Sequence, residues 1–98
     1  MPGERETFVV EGDVDLATAG AFAAQVRERL AGGPLLLDLR AVPFMDSSGV
    51  RVLSDLMKDC SAQGWELGIC DELQPGVRQV LELTGMTAIL PLEECPAA

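Results

Sequence analysis

The 98-residue sequence predicts a single α/β domain, a four-stranded, mainly parallel sheet with about three helices packed on it. Two observations carry that expectation. Short apolar runs alternate with stretches whose apolar residues recur every three or four positions, in the order strand, helix, strand, helix, strand, helix, strand. Gly- and Pro-containing turns punctuate the switches, and such alternation calls for crossover connections and a largely parallel sheet. There is no repeat, low-complexity tract or internal linker, so 1–98 reads as one domain, with a core over about 8–90 and a short polar tail over 91–98. A chain of this length buries roughly 60–70% of its unfolded surface. Hydrophobic residues make up 48% but include only three Phe and one Trp as aromatics, so the core must be aliphatic.

The elements follow in order. Thr7, Phe8, Val9 and Val10 read as the first strand, and 11–15 as an acidic turn. Leu16, Ala19, Ala23, Val26 and Leu30, with Phe22 alongside, form the stripe of a first helix that Gly32, Gly33 and Pro34 stop. The compact run 35–39 suits a strand covered on both faces. Val50, Leu53, Met57 and Cys60 mark a second helix ending near Gly64, and 65–70 gives a third strand. Pro75 fits a first helical position, which needs no amide donor. Val77, Val80, Leu81 and Thr84 form the inward stripe of the third helix, with Gly85 suited to the position just past its end. The fourth strand is expected at 87–90, with Pro91 onward a tail.

Composition excludes several functions. The net charge of −9 argues against nucleic acid, which favours a basic footprint, and against an anionic membrane surface. A protein partner with a basic contact face fits better. The polar start MPGERETF is unlike a secretory signal, and no apolar run approaches the roughly 20 residues that span a bilayer. A cytoplasmic protein without direct membrane insertion is expected. Cys60, Cys70 and Cys95 are odd in number and widely spaced, with no histidine beside them, so free thiols and no metal site are expected. No cofactor is expected either. Without histidine neither a Ser-His-Asp nor a Cys-His catalytic arrangement can be built, and the chain reads as a non-enzyme.

The informative stretch is Phe44-Met45-Asp46-Ser47-Ser48-Gly49-Val50-Arg51. Asp and Ser are favoured helix caps because their oxygens accept the free amide hydrogens of a first turn. The same placement, straight after a strand's carboxyl end, is where α/β proteins set their sites. A phosphate there would add about −1.5 to −2 charges beside Asp46 and near Asp13 and Asp15, while the helix dipole would tolerate the anion.

The string Leu36-Leu37-Asp38-Leu39, then Val42-Pro43-Phe44-Met45-Asp46-Ser47-Ser48-Gly49, resembles the signature of STAS domains of the anti-sigma-factor-antagonist type. Gly12-Asp13-Val14-Asp15 with Thr18-Ala19 is similar to that family's turn before its first helix. Pro75-Gly76-Val77-Arg78 through Leu83-Thr84-Gly85-Met86 is similar to its third helix and closing Thr-Gly. Three motifs in the right order are far more specific than one. The resemblance implies the STAS fold and a partner switch. The unphosphorylated domain would bind an anti-sigma kinase, a GHKL-type ATPase, and release a sigma factor; phosphorylation of Ser47 would end binding, and a serine phosphatase would restore it. It makes Ser47 the phosphoacceptor. It also makes Asp46 the residue positioning the hydroxyl and Asp15 part of the docking surface, with Val14, Ser48, Gly49 and Val50 further partner-binding residues. The family's strand before Thr7 and longer helix after Leu92 look shortened or absent, leaving a sheet edge to be covered, and a monomer or weak dimer is expected.

A phosphoaspartate receiver with Asp38 as acceptor lacks the late lysine, since Lys58 is the only lysine and falls inside the second helix. A serine hydrolase lacks a base. The alternative within the STAS family is a domain that is never phosphorylated, an adaptor subunit of a transport or stress-sensing complex. Fold alone does not separate the two.

Overall fold

A computed structural model describes residues 5–96. Strand β1 spans Glu6–Glu11, helix α1 Ala19–Gly32, β2 Leu35–Ala41, α2 Ser47–Gln63, β3 Leu67–Cys70, α3 Pro75–Leu83 and β4 Leu92–Glu93, with a 3-10 turn at Met86–Ala88. The sheet runs β1-β2-β3-β4, every neighbour parallel. Glu6 pairs with Leu35 and Leu35 with Leu67, which sets the register across the three longer strands.

The aliphatic core lies between one face of the sheet and the helices. Phe8, Val10, Leu35, Leu37, Leu39 and Ile69 meet Phe22, Val26 and Leu30 of α1, Leu53 and Leu56 of α2, and Val77 and Leu81 of α3. Each fully buried aliphatic side chain contributes about 1.5–3 kcal/mol of transfer free energy. Every residue of β2 from Leu35 to Leu39 is buried, as a strand with neighbours on both sides and cover on both faces requires. Asp38 is a strand residue at 4% exposure. Its carboxylate accepts from the Arg40 amide at 3.0 Å and pairs with the Arg40 guanidinium. No helix among the described residues is long and apolar enough to cross a membrane.

Four expectations need correction. Leu16 is 83% exposed and lies outside α1. The Asp15 carboxylate accepts from the amides of Ala17 and Thr18 and the Thr18 hydroxyl accepts from the Asp15 amide, so a turn occupies 15–18 and the helix starts at Ala19. In α2 it is Leu56, with Leu53, that is fully buried, whereas Val50, Met57 and Cys60 are half-buried at the margin. Thr84 is exposed, its hydroxyl donating back to the Val80 carbonyl at 2.8 Å.

The last correction is the largest. Residues 86–88 are a 3-10 turn, and the fourth strand is Leu92–Glu93, inside the stretch expected to be a tail. Gly85, at φ +75°, redirects the chain after α3 into a conformation that suits glycine. Met86 and Leu90, four apart, then turn inward together, while Ile89 stays 57% exposed. The chain re-enters the sheet only where the Pro91 carbonyl accepts from the Ile69 amide, a register in which proline's missing donor costs nothing. Ala97 and Ala98, the end of the expected tail, lie outside the described residues, as do residues 1–4. The described residues hold no strand before β1 and no helix after β4.

The candidate phosphoacceptor turn

Two loops meet above the carboxyl ends of β1 and β2. The Val14 amide donates to the Phe44 carbonyl at 2.9 Å and the Asp46 amide to the Val14 carbonyl at 3.2 Å, an isolated parallel bridge that pairs Val14 with Met45. Val14 and Met45, each 1% exposed, plug the core beneath. This clamp brings the acidic turn holding Asp13 and Asp15 next to the start of α2.

Asp46 is the N-cap of α2. Its backbone is extended, φ −105° and ψ −169°, and its carboxylate accepts from the Ser48 amide at 2.8 Å. Asp46 therefore fixes Ser47 through the backbone, and the capping residue is the aspartate rather than a serine. Ser47 is the first helical residue and is exposed. Among the described residues its hydroxyl makes no hydrogen bond to protein. Gly49 is where the helix comes closest to the clamp. A Cβ there would lie 2.5 Å from Met45 Cγ and 2.9 Å from Val14 Cγ1, so only glycine lets α2 start at this height.

Ser47 and Ser48 open onto a shallow groove of about 490 Å³ between the starts of α1 and α2, shared with Leu16, Ala19, Arg51 and Asp55. Leu16 and Phe44, exposed by 83% and 50%, give the neighbourhood apolar contact area. Of the expected site residues, Asp15, Asp46, Ser48 and Val50 are half-buried with part of each at the surface. Val14 and Gly49 are buried beneath it and shape the turn. Leu16 was assigned to the core by periodicity. The signal that places it outside is turn chemistry: Asp15 and Thr18 close a turn around it.

Residues 5–95 match the model of the STAS domain family, and the chain belongs to that family. Its relatives include the anti-sigma F factor antagonist of Paenibacillus polymyxa, 29% identical over 97 residues that cover 94% of this chain and 82% of the relative. BtrV of Bordetella bronchiseptica, assigned as an anti-sigma factor antagonist, is 32% identical over 85 residues covering 85% of this chain and 72% of that protein. The structure of the anti-sigma factor antagonist SpoIIAA in its unphosphorylated form superposes with a TM-score of 0.74 at 18% identity, covering 98% of this chain and 84% of that one. The four-stranded parallel sheet with three helices is the STAS fold these neighbours share.

Proposed function

We propose that this chain is an anti-sigma factor antagonist, a cytoplasmic binding protein and not an enzyme, whose unmodified form binds an anti-sigma kinase and so releases a sigma factor. Phosphorylation of Ser47 ends that binding, and a serine phosphatase reverses it. The observation that carries the reading is the geometry of Ser47. Its hydroxyl is exposed, free of internal hydrogen bonds among the described residues, and mounted on a turn that the Val14–Met45 bridge and the Asp46 cap hold in place. The naming of two sequence relatives as anti-sigma factor antagonists supports the same role.

Electrostatics turns the modification into a switch. A phosphate on Ser47 adds about −1.5 to −2 charges to a surface that already presents Asp13, Asp15 and Asp46. Helix α2 tolerates the anion, because its first amides and dipole favour negative charge at that end. The fold survives, and a partner surface fitted to a neutral hydroxyl does not. ATP and magnesium belong to the kinase.

Pull-down from host lysate with wild type, Ser47→Ala and Ser47→Asp as baits tests this. Wild type and Ser47→Ala are expected to retain a GHKL-type ATPase that Ser47→Asp loses, identified by mass spectrometry. If all three baits retain the same transport or stress-complex subunits, Ser47 is only part of a helix start and the domain is a constitutive adaptor.

A further inference from the structure

Most guanidinium groups of this chain are already engaged. Arg5, Arg27, Arg29 and Arg40 each pair with a carboxylate, and Arg78 donates to the Asp71 carbonyl. Arg51 is different: it is exposed and, among the described residues, makes neither a hydrogen bond nor an ion pair. It lines the groove onto which Ser47 and Ser48 open, and among the described residues it is the only cationic side chain to do so. Asp55, four residues further along α2, lines the same groove without forming an ion pair to it. Helix geometry puts Arg51 within reach of Ser47. Both lie in α2, and residues four apart are neighbours on a helix surface, with about 5–6 Å between Cβ atoms. Each Cα–Cβ bond tilts toward the helix N-terminus, so a long side chain lies over the turn before its own. For Arg51 that turn begins at Ser47.

We propose, building on the reading of Ser47 as the phosphoacceptor, that Arg51 is the residue that holds the phosphate. On phosphorylation its guanidinium turns back along α2, pairs with the phosphate oxygens and draws the group into the groove between the starts of α1 and α2. A neutral hydroxyl offers a guanidinium little, whereas a phosphate presents three strong acceptor oxygens that match its planar fork. An anion four residues before a cation is the better of the two orders for such a helical pair. No existing ion pair has to break first. The pairing supplies a counter-charge to an anion set near Asp13, Asp15 and Asp46, so the modified turn keeps its shape. It also takes the groove's cation and its open space away from a partner together. The kinase then meets an occupied groove as well as an added charge.

The test places phosphoserine at position 47 by genetic-code expansion, with no kinase involved, and follows the phosphate by phosphorus NMR as pH is varied. Its second pKa, ordinarily about 6, should lie about 0.5 higher in Arg51→Gln than in the otherwise unaltered phosphoprotein, because a paired arginine favours the doubly charged phosphate. Arg51→Lys should restore part of the difference, since lysine keeps the charge but loses the fork. Lys58→Gln removes an equal charge from an exposed position about three turns further along α2 and should leave the phosphate's titration unchanged. Circular dichroism should show the same helix content in every variant, because both substituted side chains are exposed. A phosphate that titrates alike with and without Arg51, or that Lys58→Gln shifts as far as Arg51→Gln does, would overturn the proposal. Since the phosphoserine is placed during translation, such a result counts against Arg51 alone, and the partner switch stands or falls on the pull-down.

Discussion

At the scale of single residues, the candidate site depends on a glycine that bears no chemistry. Gly49 lets α2 descend onto Val14 and Met45, so Gly49→Ala should push the helix start away from the clamp. Overpacking of this kind costs about 1–3 kcal/mol. Urea denaturation of the variant should show a loss in that range, and an unchanged midpoint would mean that the turn yields without cost. Titration adds a second pair of expectations with opposite signs. The Arg40 guanidinium holds the Asp38 carboxyl below its ordinary range. The folded state therefore binds that proton less tightly than the unfolded state. The stabilisation is complete above the ordinary carboxylate pKa and is lost as pH falls through the lower folded value. Burial and Cys95 push Cys70 from 9.0 up to about 12, so its contribution is complete below 9.0 and is lost as pH rises toward about 12. Stability measured against pH should fall less steeply in acid for Asp38→Asn and less steeply in alkali for Cys70→Ala.

At the scale of elements, what could be read from the sequence divides along the type of signal. The stripe Ala19, Phe22, Ala23, Val26, Leu30 and the run 35–39 each repeat one period over enough residues to outweigh local accidents, and they became α1 and β2. The DSSG turn was legible because capping needs particular side chains at particular positions, and Asp46 accepts from the Ser48 amide as such a turn requires. The chain after Gly85 was not legible. Thr87 and Ile89 are β-branched and suggest alternation, yet the packing that decides the conformation comes from Met86 and Leu90, and four residues are too few for a period to show. A two-residue strand such as β4 has no period at all and is defined by its partner β3. Leu16 failed for a related reason, since the spacing that placed it in the stripe ignored the Asp15–Thr18 turn around it. The contrast is testable in the 3-10 segment. Met86→Ala should cost about 2–5 kcal/mol, whereas Ile89→Ala, at an exposed position, should stay within about 0.5 kcal/mol. Equal losses from the two would mean that this segment packs as a strand.

At the scale of the whole molecule, sixteen acidic residues against seven basic ones, with Asp13, Asp15 and Asp46 gathered at one end of the sheet, make association with a basic partner surface electrostatically steered. Raising the ionic strength should slow association with the captured kinase more than it speeds dissociation, as surface-plasmon kinetics over a salt series would show. One edge of the sheet is β1, whose exposed Glu6 and Glu11 and the irregular register between Val9 and Glu11 discourage edge-to-edge pairing. The measurement that bears most directly on the proposed switch is the affinity of the kinase the pull-down is expected to capture for two forms of this protein, one unmodified and one carrying phosphoserine at position 47. Both forms should melt alike, and the phosphorylated form should bind about a hundredfold more weakly, a difference of about 2.7 kcal/mol. Equal affinity of the two well-folded forms would contradict the assignment of Ser47 as the switch.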